Sequence, residues 1–126
     1  MTWADFGILE GMVRIKRVYD EPESADGRRV LVDRVWPRGL RKDQVDYDEW
    51  LREVAPSPEL RRWFRHDPDR FEEFTVRYRA ELADGPPAEA LAQLREWSRA
   101  GPVTLLTSTQ DPMVAHTAVL ADLLAE

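Results

Sequence analysis

Apolar residues along this chain fall into three strand-like runs and five helix-like stripes. Val13-Arg14-Ile15-Lys16-Arg17-Val18-Tyr19 alternates imperfectly, and Arg29-Val30-Leu31-Val32-Asp33 holds a continuous apolar core, as in a strand covered on both faces. The loop from Asp20 to Gly27, with Pro22 and an Asp26-Gly27 turn signal, is too short for a helical crossover. If the two strands are neighbours, they should therefore be antiparallel. Val103-Thr104-Leu105-Leu106-Thr107 reads as a third strand.

Between the second and third strands the period changes to that of helices. Residues 43–56 carry Tyr47, Trp50, Leu51 and Val54 at roughly helical spacing, which predicts a short helix. Ser57-Pro58, Asp67-Pro68 and Asp111-Pro112 each set an N-cap acceptor before a proline suited to the first helical position. The first opens a helix through Leu60, Trp63 and Phe64, the second a longer one with Phe71, Phe74, Tyr78 and Leu82 on one face. Asp84-Gly85-Pro86-Pro87 breaks the chain before a helix carrying Leu91, Leu94 and Trp97, which stops at Gly101-Pro102. The last helix is predicted from Pro112 towards Leu124, with Met113, His116, Leu120 and Leu123 on one side. The stretch between the second and third strands is long enough for a parallel crossover. These elements predict a small single α/β domain, with helices packed on a short sheet that is mostly parallel or mixed.

Composition narrows the chemistry. The 126 residues include no cysteine, which excludes disulfides, thiolate catalysis and Cys-based metal centres. Two histidines, His66 and His116, argue against a His-based metal site, so no metal is expected. No Walker, G-x-G-x-x-G, H-E-x-x-H or EF-hand pattern appears, and no cofactor is expected. The N-terminal MTWADFGILEG is too short and acidic for a signal peptide, and no run approaches the ~18 apolar residues of a membrane span. A cytoplasmic location with no membrane partner is the expectation. Because a strand pattern follows Met12 at once, residues 1–11 read as an extension and 12–126 as the domain.

Charge is unevenly placed. The net charge of -6 averages -2 over residues 1–33, +1 over 34–79 and -5 over 80–126. The acidic total disfavours nucleic acid as a partner. Arg34-Val35-Trp36-Pro37-Arg38-Gly39-Leu40-Arg41-Lys42 nevertheless holds four cations and no acid. Pro37 and Gly39 make the chain turn there. If the second and third strands are parallel, that turn and Thr107-Ser108-Thr109-Gln110 share the carboxyl edge of the sheet, where ligands of open α/β sheets sit. Arg34 and Arg38 would clamp a phosphate or carboxylate, Trp36 would wall or stack, and Thr107, Ser108 and Thr109 would donate hydrogen bonds. Alternatively, Arg34 and Arg38 pair with acids of the 43–59 segment and Trp36 is core. His116 or His66 would carry protons if there is chemistry; otherwise His66 is a surface-loop residue and His116 a boundary residue. Asp111 and Ser57 read as helix caps, and Ser57 lacks a nucleophile elbow.

The run Val30 to Leu40 is joined by Trp50-Leu51, Val54-Ala55-Pro56-Ser57, Leu60-Arg61, Trp63-Phe64 and His66-Asp67-Pro68. With Phe74, Arg77-Tyr78, Glu81-Leu82, Val103 to Leu106 and Asp111-Pro112, these resemble the YeaO-like branch of the bacterial domain-of-unknown-function family 488. The match runs from about Arg14 to Leu124. The resemblance implies a compact cytoplasmic α/β domain and no established reaction. Longer relatives carry a Cys-His-Arg-like element where this chain has Ala115-His116-Thr117, so a thiol role does not carry over. The branch often has an Asn–His pair near here; this chain keeps only His116.

Three functions follow. The first is binding of, and action on, an anionic small molecule such as a phosphate- or nucleotide-like ligand. The second is a non-catalytic interaction module or homodimer, suggested by five tryptophans in one small domain. The third is weak nucleic-acid binding through the 34–42 turn with Arg61, Arg62 and Arg65.

Overall fold

A computed structural model describes residues 13–126. The expected extension over residues 1–11, and a domain start at Met12, lie outside the described residues. Four parallel strands form one sheet: β1 (Val13–Arg17), β2 (Arg28–Leu31), β3 (Glu49–Trp50) and β4 (Val103–Thr107), in the order β1-β4-β2-β3. Ile15 pairs with Leu105, which pairs on its other side with Val30; Leu31 pairs with Trp50. The α/β expectation holds.

The antiparallel expectation for β1 and β2 holds only if they are neighbours, and they are not: β4 lies between them, and all three run parallel. Ten residues, Val18 to Gly27, return the chain without an α-helix, through a 3-10 turn at Ser24–Asp26. Extended chain reaches ~3.3 Å per residue, enough to retrace a four-residue strand and shift two strand spacings. Asp26 pins this connection. Its fully buried carboxylate accepts from Lys16 Nζ at 3.0 Å, from the Glu23 N–H at 3.0 Å and from Arg29, while Thr104 Oγ1 donates to its carbonyl at 2.8 Å. Burial alone would raise the Asp26 carboxyl; the Glu23 N–H, Lys16 and Arg29 outweigh it and hold it low. Gly27, at φ +63°, passes so close to Pro102 that an added Cβ would sit 2.2 Å from its carbonyl oxygen.

Alternation along β2 and the residue after it serves two layers. Val30 and Val32 join Val103 and Leu105 in the main core, under α1 (Pro58–Phe64), α2 (Phe71–Glu81), α3 (Gly85–Ala100) and α4 (His116–Ala125). Leu31 and Leu106 face the other way, into a smaller cluster with Val18 and Val45, covered by Trp36, Leu40, Tyr47 and Trp50. All four helices therefore contribute to one face, and loops close the other.

Ser57 caps α1, accepting from the Leu60 N–H at 3.1 Å, and its own N–H donates to Glu81 at the end of α2 at 2.9 Å. Asp67 accepts from the Asp69 N–H, but its proline opens a 3-10 turn, Pro68–Arg70, before α2. Asp84 caps α3, so Gly85-Pro86-Pro87 begins that helix rather than only breaking the chain.

Two expectations change. Residues 43–56 form no α-helix; 3-10 turns at Lys42–Gln44 and Arg52–Val54 flank β3. Trp50 belongs to that strand, its indole N–H donating to the Asp33 carbonyl at 2.7 Å, and tertiary pairing with β2 overrides the helical spacing. The last helix begins at His116, not Pro112. Pro112–Val114 is a 3-10 turn, Ala115 is extended (φ -151°), and Asp111 makes no side-chain cap. Met113 is 66% exposed rather than on the apolar side.

Candidate functional site

Because β2 and β4 are parallel neighbours, their carboxyl ends lie side by side. There the chain places Asp33, 9% exposed, at the meeting point of three elements. Thr107 Oγ1, ending β4, donates to Asp33 Oδ1 at 2.7 Å. The Ser108 N–H and hydroxyl donate to Oδ2 at 2.8 and 2.9 Å. His116 Nε2, the first residue of α4, lies 3.1 Å from Oδ1. Burial alone would raise the Asp33 carboxyl. The hydrogen bond and charge of His116, the Ser108 N–H and the Thr107 hydroxyl outweigh it and hold the carboxyl below the usual carboxylate range. An ionised carboxylate only accepts, so the His116 Nε2 carries the proton in this pair.

Asp33 received no role from the sequence. It stands out only as an acid ending an apolar strand, opposite a Thr-Ser pair ending another, and that opposition exists only once the parallel pairing is known.

Beside this bracket opens a cavity of about 460 Å³. Arg34, Trp36 and Arg38 from the turn after β2 line it, with Ser108 and Thr109 from the turn after β4. His116 and His66 also face it, and Ala55, Pro56, Phe64, Phe74 and Ala115 supply apolar wall. Thr107 is absent from the wall; it lies fully buried one layer below, holding Asp33 and accepting from the Thr109 N–H at 3.1 Å. Arg61 and Arg62 of α1, read from sequence only as part of a basic patch, line the cavity as well.

The two arginines of the turn differ. Arg34 is tied to the 53–56 segment: Nη2 donates to the Ala55 carbonyl at 3.0 Å, Nε to that of Pro56 at 3.3 Å, and Nη1 lies 3.6 Å from Glu53. Arg38 is exposed and, among the described residues, has no hydrogen bond or ion pair; the same holds for the side chains of Arg61 and Arg62. Trp36 is half-buried. Its indole N–H donates to the Leu40 carbonyl at 2.6 Å, and its ring meets Tyr47 and Trp50 edge-on, each at 5.4 Å. It belongs at once to the smaller core cluster and to the cavity wall.

The rim near α1 is set by an unusual backbone. Arg65 and His66 both have φ of +54°, two consecutive side chains in the left-handed region. The Arg65 N–H closes α1 onto Arg61, and the Asp67 N–H donates to Phe64, so the reversal presents His66 at the surface.

Asp33, His116 and Ser108 do not form a catalytic relay. Ser108 and His116 both donate to the same carboxylate, so the serine proton points to Asp33 rather than to an imidazole base. The arrangement is a bracket holding the cavity's walls together. Among the described residues, no group of His, Asp and Glu is spaced to hold a metal ion, and no helix is long and apolar enough to cross a membrane.

Residues 12–126 match the family described as the inactive DUF488-N3 subclade. An uncharacterised protein of Mycobacterium tuberculosis (strain H37Rv) is 48% identical over 117 residues, covering 93% of this chain and 97% of that one. The uncharacterised protein YeaO of Escherichia coli K12 is 41% identical over 110 residues, covering 87% of this chain and 94% of that protein. No solved structure matches the chain. With the resemblance of its motifs and the α/β fold that carries them, this chain belongs to the DUF488 family, as a YeaO-like member.

Proposed function

We propose that the cavity at the carboxyl edge of the sheet binds an anionic small molecule, of the phosphate- or nucleotide-like kind, without acting on it. The observation that carries this reading is the charge of the wall. Four arginines, Arg34, Arg38, Arg61 and Arg62, face one acid, Asp33, in a chain of net charge -6. Asp33 is already engaged by Thr107, Ser108 and His116, so it offers little repulsion that its own donors do not offset. Guanidinium groups recognise planar or tetrahedral oxyanions through paired N–H donors. The cavity's volume falls within the ~300–1,000 Å³ of small-molecule sites. The commitment of Ser108 to Asp33, and the family's description as inactive, favour binding over catalysis.

Titration calorimetry with inorganic phosphate, adenosine monophosphate and acetate tests the reading. Binding of at least one of these anions, weakened about tenfold or more by Arg38→Ala in a protein of unchanged melting temperature, is the expected result. Absence of binding by all three, or full affinity in the variant, removes the reading. For the interaction-module alternative, Trp36, Trp50, Trp63 and Trp97 are half-buried, and Trp3 lies outside the described residues.

A further inference from the structure

The cavity does not end at the arginines. A second cavity of about 410 Å³ shares His66, Ser108 and Thr109 with it and continues along Gln110, Asp111 and Val114. The two halves differ in chemistry. The first is walled by guanidinium groups; the second holds no Lys or Arg and carries a carboxylate and a carboxamide. Asp111 and Gln110 are exposed, and among the described residues neither side chain has a hydrogen-bond partner. Asp111 is a helix cap by sequence pattern, yet its side chain caps nothing, because Ala115 interrupts the helix it would have started. Its carboxylate is therefore left available beside the hydroxyls of Ser108 and Thr109.

From this juxtaposition, and resting on the anion-binding reading above, we propose that the ligand is a phosphate monoester bearing a vicinal diol. The phosphate lies among Arg38, Arg61 and Arg62. The hydroxyls lie in the second half, donating to the Asp111 carboxylate and the Gln110 carboxamide oxygen. A carboxylate accepts two roughly parallel O–H bonds from adjacent hydroxyls, as acids do for ribose in dinucleotide sites. A second anion there would be repelled, so the two halves also fix the ligand's direction. His66, in the wall of both, marks the junction.

The test is calorimetry of the full chain with inorganic phosphate, n-butyl phosphate, ribose 5-phosphate and adenosine 5′-monophosphate. Ribose 5-phosphate or the nucleotide should bind at least tenfold tighter than n-butyl phosphate, and whichever is tighter separates a sugar phosphate from a nucleotide source. Asp111→Asn should erase most of that preference while leaving inorganic phosphate bound no more weakly. Equal affinity for n-butyl phosphate and both diols, or a preference that survives Asp111→Asn, overturns the diol assignment and leaves the anion site standing. Failure of every phosphate compound to bind overturns the diol assignment, and failure of acetate as well overturns the anion site with it.

Discussion

Asp33 and His116 stand 83 positions apart in the chain and 3.1 Å apart in space. That contact joins the end of β2 to the start of α4 across the carboxyl edge of β4. With the Thr107 and Ser108 bonds it makes one carboxylate the fastening of three segments. Replacing Asp33 by Ala strands several buried donors. Destabilisation of about 3 kcal/mol is expected, roughly a 10 °C fall in melting temperature, read by thermal denaturation. A loss below ~1 kcal/mol would show the bracket to be idle.

The same carboxylate fixes a pH dependence. The folded Asp33 ionises below the unfolded value of about 4, so between those values the unfolded chain binds more protons. Its stabilisation is complete above about pH 4 and is lost as pH falls through the folded value. Urea denaturation at a series of acidic pH values should show the gap between wild type and Asp33→Asn narrowing as pH drops below about 4. Asp26, likewise held low, contributes its own acid-sensitive share to both proteins. A constant gap across that range contradicts the assignment.

Arg34 and Arg38, four positions apart, should separate cleanly. Arg34→Ala removes donors from the Ala55 and Pro56 carbonyls and should lower stability by about 1–2 kcal/mol. Arg38→Ala removes no hydrogen bond or ion pair among the described residues and should leave the melting temperature nearly unchanged. Equal melting shifts in the two variants would contradict this division.

Gly27→Ala should be among the costliest single-methyl additions in the chain. The backbone is left-handed there, and the new Cβ would meet Pro102 backbone at 2.2 Å. A loss of about 2 kcal/mol or more is expected by chemical denaturation, whereas Gly39→Ala, whose Cβ meets no atom within 4 Å, should cost less despite its own positive φ.

Much of this molecule is legible in its sequence where local chemistry decides. The Ser57-Pro58 cap, the Phe74 and Tyr78 face of α2 and the doubly covered β2 all follow from caps and periodicity. The sequence misleads where distant partners decide. Trp50 has helical spacing but pairs with β2, and Asp111-Pro112 has the form of a helix start that Ala115 defers to His116. Arg34 and Arg38 look alike as text, and only the position of the 53–56 segment tells the clamp from the unpaired cation. Nothing near Asp33 in the sequence marks it, because its partners lie more than 70 positions away.

The strand order carries a consequence for how this chain is made. β1 and β2 are never in register with each other; only β4, which begins at Val103, joins β1 to β2 and its neighbour β3. A ribosome that has released the first hundred residues has therefore delivered β1 and the β2–β3 pair without the strand that joins them. The sheet waits on the final fifth of the chain, so long-range pairing rather than growth from the N-terminus governs the folding rate. A chain ending at Gly101 should show no cooperative unfolding transition at all, and the nascent protein stays dependent on whatever shields its apolar strands until Thr107 has emerged.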